Sequence, residues 1–550
     1  MNTIVRIRTV KRSLVLLVTL VAVSLVSSPF IAYDSSRPAT VGNSVKGCSW
    51  VIWQDAGTYQ AIDKTGRNVY HVNNFSTTFH DVLSAINGGG GEICISDGTY
   101  PVEGSLGSGL PALDWNNLAL TGNGVSTVLQ LSPGMARRMI NLFPVHNLTI
   151  SGITFDGNGV QQKDTASRLD SELLFIGGSA PTDRANHVTV QDIGCKNVRY
   201  GTCVDGYGVD VKFLNSEFLW SGSPGAAFPS DHIHYGGRGI VVSGNFFNNS
   251  TDSAFACDSC SDVVVSNNIV WNAGTQAFAL GVMGDEDSNL VYTGNLVNDT
   301  VPGRFFSATA GTFTNVAITG NTFINTSPEP TTGLHGIVIG DNARGVTISG
   351  NSIRVSSDNP NNFAIYLGNE NTDVTVTGNE ITSGGTSSAG CIDLDGATRF
   401  SIIGNNCHNS YYGLVLGGHP SNTGIIADNI FTNQTVTIAY FQPPTGNVEV
   451  VDNAGYNPIN EVANFVAGST FAPWGTSSTV DRSTDYVVEG SGLYFTSTGG
   501  TSVIITIKDG AGNTLYSPGA TLTTPFYVPY RDMINFGDFT TAPTVTVWFT

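Results

Sequence analysis

The stretch SDHIHYGGRG, which begins at Ser230, holds the residues of this sequence best suited to chemistry. Asp231, His232 and His234 place one carboxylate and two imidazoles close together in the chain. Imidazole and carboxylate groups transfer protons near neutral pH, and both can hydrogen-bond sugar hydroxyls. These residues predict an acid/base or sugar-binding site, provided that their side chains leave the core on one surface.

Strand alternation indicates which of these side chains point outward. Ile233 lies between the histidines and is apolar, so we expect it to point inward and both His232 and His234 to point outward. The same rule places Asp205 outward in the preceding segment, GTCVDGYG. In the following segment, STDSAFAC, it places the alanines inward and Phe255 outward.

Neighbouring segments enlarge this predicted cluster if they stack on one another. Asp231 and Asp252 occupy the same place before their strands, so we expect them to lie one strand spacing, or roughly 5 Å, apart. Phe255 and Phe278 should stack on consecutive turns, where aromatic rings beside carboxylates suit sugar binding. The candidate catalytic residues are therefore Asp205, Asp231, His232, His234 and Asp252, and the candidate substrate-binding residues are Arg238, Phe255 and Phe278.

Paired carboxylates at that separation support three interpretations. They could form the acid/base pair of a glycosidase, because close carboxylates raise one another's pKa and so supply a proton donor. They could bind Ca²⁺, which neutralises the uronate carboxylate in a lyase. They could also be solvated polar groups on the strand face of a structural protein. A second outward pair, Asp393 and Asp395 around Leu394, is a candidate cation site on the same reasoning.

A repeated strand-and-turn unit must position these residues. Segments such as IVVSGNFF, VAITGNTF and VTISGNSI recur at intervals of about 25 residues, a period typical of solenoids. The alternation in Val346-Thr347-Ile348 is that of a strand, and stacked units bury the apolar face that a single unit cannot. Asparagine recurring at one turn position predicts a ladder of side-chain amides. Three short strands per coil, wound into a prism, satisfy this spacing.

These repeats resemble those of right-handed parallel β-helix proteins of the pectate-lyase-like superfamily. The segment FSTTFHDVLSAINGGGGEICISDGTY, from Phe75 to Tyr100, is similar to the superfamily's opening motif, in which a short helix caps the coil before the first strand. The resemblance extends from Phe75 to Tyr456 and implies an all-β solenoid. The superfamily includes pectate lyases, polygalacturonases, alginate epimerases, tailspike depolymerases and adhesins, so the resemblance leaves the activity open.

The sequence divides into four regions. Residues 1–32 predict a signal peptide or an N-terminal anchor, because basic residues precede the apolar run from Leu14 to Val26. We assign residues 33–74 to a linker and an N-terminal strand, and 75–457 to the β-helix with its cap helix. Residues 458–550 lack the repeat and alternate between strands and Gly, Asn or Pro turns, which predicts a small antiparallel β-sandwich. This sandwich could cap the last coil or bind a glycan or the cell surface.

Composition places the protein outside the cytosol. Only 12% of the residues are charged, and the eight cysteines are consistent with disulfides in an exported protein. Cys257 and Cys260 form a CxxC with no second copy, which favours a local disulfide or stacked thiols over a zinc site. The net charge of -19 argues against nucleic-acid binding and disfavours polyanionic glycans unless cations intervene.

We therefore expect a secreted or cell-surface protein that binds a polysaccharide and, as an enzyme, cleaves it. Hydrolysis by paired aspartates is favoured over Ca²⁺-dependent β-elimination, because no basic cluster is visible. The alternative is a non-catalytic adhesin, envelope or virion spike protein, since no complete polysaccharide-cleaving motif is present. An enzyme should gather Asp205, Asp231 and Asp252 in a cleft walled by the insertion between Ile153 and Ile193. Membrane contact would occur only through the N-terminal anchor, and oligomers, trimers included, remain open.

Overall fold

The computed structural model describes residues 47–456 with short gaps and, by their backbone, seven strands further on. The gaps are 68, 108–114, 136–137, 163–171, 179–183, 200, 223–229, 282–285, 299–303, 310, 326–335, 356–361, 385–388, 418, 420–422 and 441–447. The predicted signal peptide or anchor and the first part of the predicted linker lie outside the described residues.

A short antiparallel meander and a helix open the described chain. The three strands are Trp50–Asp55, Thr58–Asp63 and Val69–Val72, and the helix is Phe75–Ile86. Asn74 caps the helix by accepting a hydrogen bond from the Thr77 amide at 2.9 Å, and Asn87 ends it in the left-handed conformation. The helix buries Phe75, Phe79, Val82 and Leu83, so it covers the open end of the core as predicted.

The following chain winds into a right-handed parallel β-helix of about 11 turns, as predicted. Each full coil contributes a strand to each of three parallel sheets. The first sheet contains Ile140–Leu142, Leu174–Ile176, the starts of Val204–Leu214 and Ile233–Ser243, Ser253–Cys257, Gln276–Leu280, Arg304–Ala308, Ile337–Ile339, Phe363–Leu367, Gly390–Leu394, Tyr412–Leu416 and Val436–Tyr440.

The second sheet follows the first along each coil. It contains Trp50–Asp55, Gly91–Ile95, the starts of Trp115–Leu131 and Val145–Asp156, Ala185–Gln191, the ends of Val204–Leu214 and Ile233–Ser243, Cys260–Ser266, Glu286–Thr293, Thr312–Thr319, Arg344–Ser349, Asn371–Thr377, Ala397–Ile403, Gly424–Ala427 and Val448–Val451.

The third sheet completes each coil. It contains Gly98–Val102, the ends of Trp115–Leu131 and Val145–Asp156, Gly194–Val198, Glu217–Ser221, Phe246–Ser250, Ile269–Ala273, Leu296–Asn298, Thr322–Asn325, Ser352–Val355, Glu380–Ser383, Asn406–His408 and Ile430–Thr432. A single 3₁₀ turn among the described residues, Gly159–Gln161, leaves this sheet after Asp156.

The interior consists of stacked rows of apolar side chains from equivalent positions. Val346 and Ile348 are fully buried, whereas Thr347 between them points outward. Val316, Val346 and Val374 pair in register on successive coils, so one buried row runs along the solenoid. Burying each such side chain contributes roughly 1.5–3 kcal/mol, and no coil could bury its own without a neighbour.

The predicted asparagine ladder lies inside the turn between the second and third sheets. Asn321 shows the pattern, because its Nδ2 donates to Oδ1 of Asn351 at 3.0 Å and to the Tyr292 carbonyl at 2.9 Å. Its own Oδ1 accepts from the Asn295 amide at 2.9 Å. The preceding residue, Gly320, has a φ of 64°, which explains why glycine so often precedes the ladder asparagine.

All eight cysteines form disulfides, as the sequence indicated. The pairs are Cys48–Cys94, Cys195–Cys203, Cys257–Cys260 and Cys391–Cys407. The CxxC is thus a local disulfide. Across the described residues no helix combines the length and the apolar character needed to cross a bilayer.

The strands beyond residue 458 pair in antiparallel fashion. Asn464–Val466, Thr544–Phe549, Leu493–Ser497 and Phe526–Val528 form a four-stranded sheet, and Thr514–Tyr516, Val503–Lys508 and Met533–Phe539 form a three-stranded sheet. The packing of these sheets into a sandwich stays a prediction.

Candidate functional site

The first sheet carries one row of outward side chains in register, which we call the outer row. It comprises Phe175, Asp205, His234, Ala256, Ala279, Ser307, Val338, Tyr366, Asp393 and Val415. Small or apolar residues occupy the middle coils, while ionisable side chains occur towards both ends. The row therefore holds two separate polar clusters on one face of the solenoid.

The first of these, the acid–histidine cluster, consists of Arg138, Glu172, Asp205, Asp231, His234 and Asp258. Asp205 and His234 are register partners on adjacent coils, which places them about 4.8 Å apart along the solenoid. His234 Nε2 lies 2.8 Å from Oδ2 of Asp258, and these side chains are 21% and 3% exposed. Asp258 lies inside the Cys257–Cys260 disulfide loop, which holds its carboxylate against the sheet.

Electrostatics keep His234 protonated. Burial lowers its pKa, but the hydrogen bond with Asp258 and the charges of Asp231 and Asp205 outweigh it and raise the pKa to about 9. At neutral pH His234 is therefore an imidazolium among carboxylates. The second oxygen of Asp258, Oδ1, is buried and has no hydrogen-bond partner among the described residues.

Glu172 is the most buried acid of this cluster, with 1% of its surface exposed. Arg138 Nε lies 3.1 Å from its Oε2, and the Arg138 guanidinium lies 3.6 Å above the Phe175 ring. Burial and then the charge of Asp205 raise the pKa of Glu172, while Arg138 partly opposes the shift. Glu172 and Asp205 are thus two electrostatically interacting carboxyl groups, and the interaction raises the pKa of the buried one.

Asp231 and Asp252 have structural contacts in addition to their charge. Asp231 is buried, and its Oδ1 accepts a hydrogen bond from the Ser253 amide at 2.9 Å. Asp252 accepts from the Thr275 hydroxyl through its carboxylate, and from the Gly274 amide through its carbonyl at 3.0 Å. Each therefore ties its own corner to the next coil, and of the two only Asp231 contributes to the electrostatics of His234.

The predicted outward direction of His232 is wrong. Its side chain is 1% exposed and lies inside the coil near Phe218 and Phe247, with ring centroids 6.1 and 5.9 Å away. Nδ1 hydrogen-bonds Ser221 Oγ at 2.7 Å and Nε2 the Asn248 carbonyl at 3.2 Å. Burial lowers the pKa of His232 to about 3, although the bond to Asn248 opposes this. The strand starts at Ile233, so His232 belongs to a corner, where alternation no longer applies.

The predicted outward direction of Phe255 and Phe278 is also wrong. Both rings are fully buried and pair in register with Ile233, so they belong to an interior row. Ala256, not Phe255, takes the outward position beside His234. Apolar residues occupy both strand faces of SAFAC, and alternation alone could not tell them apart. The two phenylalanines do lie in register on consecutive coils, but as core residues with no surface for a ligand.

Arg238 lies apart from the acid–histidine cluster. The chain bends at Gly236 and Gly237 before it, so Arg238 is on the second sheet opposite Ser261. Its side chain is 66% exposed, and Nε lies 3.0 Å from Oδ2 of Asp262.

The second cluster, the carboxyl pair, consists of Asp393 and Asp395 with Tyr366 and His419 beside them. Leu394 is fully buried, and the aspartates flank it on the outward side as predicted. Burial and the charge of Asp395 raise the pKa of Asp393 to about 7. Asp395 Oδ1 accepts from the His419 amide at 2.8 Å and lies 3.1 Å from its Nδ1.

Space beside the carboxyl pair is preserved by a glycine. A Cβ at Gly417, on the next coil, would lie 2.9 Å from Asp393 Oδ1, an oxygen with no hydrogen-bond partner among the described residues. Two neighbouring carboxyl groups, one with an oxygen that lacks a hydrogen-bond partner among the described residues, suit a hard cation. In the described part of the chain, one group of three side chains has ligand atoms close enough together to hold a metal: Cys48, Glu92 and Cys94. The two cysteines form a disulfide, so their sulfurs cannot act as thiolate ligands.

Sequence reasoning missed Arg138, Glu172 and Asp258. Asp258 could have been found, because it lies between the cysteines of the CxxC that follows the SAF strand. Glu172 comes from the insertion between Ile153 and Ile193, which we expected to form the wall of a cleft. The insertion does not follow the repeat, so the sequence does not indicate which strand position Glu172 occupies. The rest of that insertion lies partly outside the described residues.

Comparison with known proteins agrees with this architecture. Residues 181–353 match the family model described as "Right handed beta helix region". This match and the three parallel sheets define the chain as a right-handed parallel β-helix protein, as the resemblance in its repeats implied. No curated protein sequence matches the chain.

Solved structures share the fold at low identity. The A-module of mannuronan C-5 epimerase AlgE6 from Azotobacter vinelandii is 16% identical over 70% of this chain and 96% of that one, with a TM-score of 0.43. The catalytic unit of a GH87 α-1,3-glucanase from Streptomyces thermodiastaticus is also 16% identical, over 70% of this chain and 66% of that one, with a TM-score of 0.43. The surface adhesin PfbA of Streptococcus pneumoniae is 15% identical over 74% and 95%, with a TM-score of 0.42. This likeness is one of fold.

Proposed function

We propose that this protein is an extracellular polysaccharide hydrolase whose active site is the acid–histidine cluster. The observation that carries the proposal is the interaction of Glu172 with Asp205, which raises the pKa of a buried carboxyl next to a second carboxyl on the outer row. The four disulfides suit an oxidising compartment, and residues 1–32 would direct export.

In the proposed reaction the two carboxyl groups have different roles. Glu172, whose pKa is raised, would be the general acid that protonates the glycosidic oxygen, and Asp205 would activate water or attack the anomeric carbon. The cationic His234, fixed by Asp258, favours negative charge on the neighbouring Asp205. His234 is thus a positioning residue in this scheme.

A glycan panel tests the proposal. The wild-type chain should release reducing ends from at least one polysaccharide, without the absorbance of an unsaturated uronate. Glu172→Gln and Asp205→Asn should each lower the rate by roughly 10²-fold or more, the usual contribution of a general acid or base. Asp210→Asn is the matched control, because Asp210 is an exposed carboxylate 3.2 Å from His187 on the second sheet.

Two results would contradict the proposal. If the wild-type chain cleaves none of the glycans, with or without Ca²⁺, the proposed hydrolase activity is wrong. Unsaturated products would replace hydrolysis with β-elimination.

Non-catalytic glycan binding is the second candidate function. It is favoured by the contacts of Asp231 and Asp252, which bind neighbouring coils through hydrogen bonds rather than presenting bare carboxylates. In this function the carboxyl pair would hold Ca²⁺ when both aspartates are ionised, and the region after residue 458 would cap the solenoid or attach it to a surface.

A further inference from the structure

The third sheet presents exposed apolar side chains over adjacent coils. This aromatic patch consists of Leu219, Trp220, Phe246, Ile269, Trp271 and Leu296. Trp220, Trp271 and Ile269 are 54%, 43% and 38% exposed, and Phe246 and Trp271 meet edge to face with centroids 5.1 Å apart. Elsewhere on this sheet most outward positions hold polar residues, such as Thr322, Ser352 and Glu380.

Trp220 is held in a backbone conformation that does not suit tryptophan. Its φ is 62°, and the equivalent residues of neighbouring coils are Asn197, Asn249 and Asn272, with φ values of 57°, 59° and 52°. Asparagine tolerates the left-handed region because its side chain can hydrogen-bond locally, whereas a bulky residue there is strained. A half-exposed indole recovers little of this cost through burial, so the fold itself gains nothing from tryptophan at this position.

The interior holds the strained turn in place from beneath. Ser221, the next residue, is tied through its hydroxyl to the buried His232, which in turn bonds the Asn248 carbonyl. Phe218 and Phe247 stack below with centroids 4.9 Å apart. Strained residues persist where the surroundings over-determine them, and they concentrate at binding sites.

Polar groups beside the rings indicate what the patch contacts. Asn248 Oδ1 accepts from Asn272 Nδ2 at 3.3 Å, so side-chain amides alternate with the aromatic rings. Sugars combine the same two features, because pyranose rings present C–H faces for stacking and hydroxyls for hydrogen bonds. Glu217 is exposed at the edge and the whole chain carries a charge of -19, both of which oppose an anionic polymer.

We propose that the aromatic patch binds an uncharged polysaccharide by stacking on Trp220 and Trp271. Leu219, Trp220 and Phe246 lie in the coils that carry Asp205 and His234 on the first sheet, and Ile269, Trp271 and Leu296 lie in the two coils that follow. A polymer bound to the patch would therefore lie on coils of the candidate active site. The proposal does not require that site to be catalytic.

Native electrophoresis through gels that contain a soluble polysaccharide tests the patch. The polymers are hydroxyethyl cellulose, mixed-linkage β-glucan, dextran and galactomannan, with polygalacturonate as the anionic comparison. At least one uncharged polymer should retard the wild-type chain, and Trp220→Asn and Trp271→Ala should each weaken the retardation at least tenfold in polymer concentration. Ile430→Ala is the matched control, because Ile430 is 48% exposed at the far end of the same sheet.

Thermal unfolding separates a binding tryptophan from a structural one. Trp220→Asn should keep or raise the melting temperature, since asparagine suits the left-handed turn, and should still lose retardation. A lowered melting temperature with unchanged retardation would overturn the proposal, as would an absence of retardation by every uncharged polymer. Concentration-dependent dimers abolished by Trp271→Ala would make the patch a self-association surface instead. Asp205→Asn should bind normally, so a failed hydrolase and a failed binding surface are distinguishable.

Discussion

The acid–histidine cluster and the carboxyl pair lie on the same outer row, but they compensate buried negative charge differently. In the acid–histidine cluster, Arg138 contacts Glu172 and the protonated His234 contacts Asp258. In the carboxyl pair, the nearest base is the exposed His419, which contacts Asp395 and leaves Asp393 to retain a proton up to about pH 7. The acid–histidine cluster therefore has cations beside its buried acids, whereas the carboxyl pair has a buried carboxyl group that is neutralised by its own proton.

This difference sets what each cluster can do. In the acid–histidine cluster two cations, Arg138 and His234, lie among several carboxyl groups, an arrangement that suits acid/base chemistry. The carboxyl pair, with little positive charge of its own, gains most from an external cation. Substitutions that remove one charge at a time should expose the contrast.

The largest effect is expected for Asp258→Asn. Removing one partner of a buried ion pair typically costs roughly 3 kcal/mol or more, because the other charge is left uncompensated. The loss of unfolding free energy should be greatest near pH 6, where His234 is fully protonated, and urea denaturation measures it. Asp262→Asn is the control, since its pair with Arg238 is exposed and should contribute little to stability. Equal losses in both variants would contradict the contrast between buried and exposed pairs.

The pH dependence of the unfolding free energy of Asp258→Asn provides a second test. Because the folded pKa of His234 is raised to about 9, its stabilising contribution is complete below the ordinary histidine pKa and is lost as the pH rises through about 9. Asp258→Asn should flatten the stability profile across that window. A profile unchanged from wild type would show that Asp258 does not hold the proton on His234.

A smaller effect with the opposite sign is expected for Asp393→Asn. The raised pKa of Asp393 means that the native state keeps a proton which the unfolded chain releases, so stability falls as the pH rises towards about 7. An amide carries no such penalty, and Asp393→Asn should be more stable than wild type at pH 8 but not at pH 4. Thermal unfolding at both pH values measures the difference. A destabilised variant at pH 8 would mean that the ionised Asp393 is already compensated.

The fold could be predicted from the sequence because each coil of a solenoid repeats the same pattern of strands and turns. Glycine followed by asparagine, as at Gly320 and Asn321, marks many of the turns where a left-handed residue and a buried amide are needed. Outward placement was predicted correctly for Asp393 and Asp395, which flank the buried Leu394. It failed at His232 and Phe255, since a corner and an all-apolar strand carry no period-two signal.

The composition of the acid–histidine cluster depended on information outside the repeat. Glu172 reaches the first sheet from an insertion, and Asp258 from a disulfide loop. Their pairing with Arg138 and His234 follows from three-dimensional contact between coils, not from spacing along the chain. Sequence reasoning therefore located Asp205 and His234, but could not identify their charged partners.

The smallest expected effect is that of Ca²⁺ on the carboxyl pair. At pH 8, millimolar Ca²⁺ should raise the melting temperature by a degree or two, because a ligand that binds only the folded state at a few times its Kd contributes about 1 kcal/mol. The shift should disappear in Asp395→Asn and shrink below pH 6, where Asp393 is protonated. Asp231→Asn should retain it, since Asp231 already accepts a backbone amide and lies beside the cationic His234. If Ca²⁺ still raised the melting temperature of Asp395→Asn but not that of Asp231→Asn, the cation would bind in the acid–histidine cluster. The carboxyl pair would then not be the cluster that gains most from an external cation.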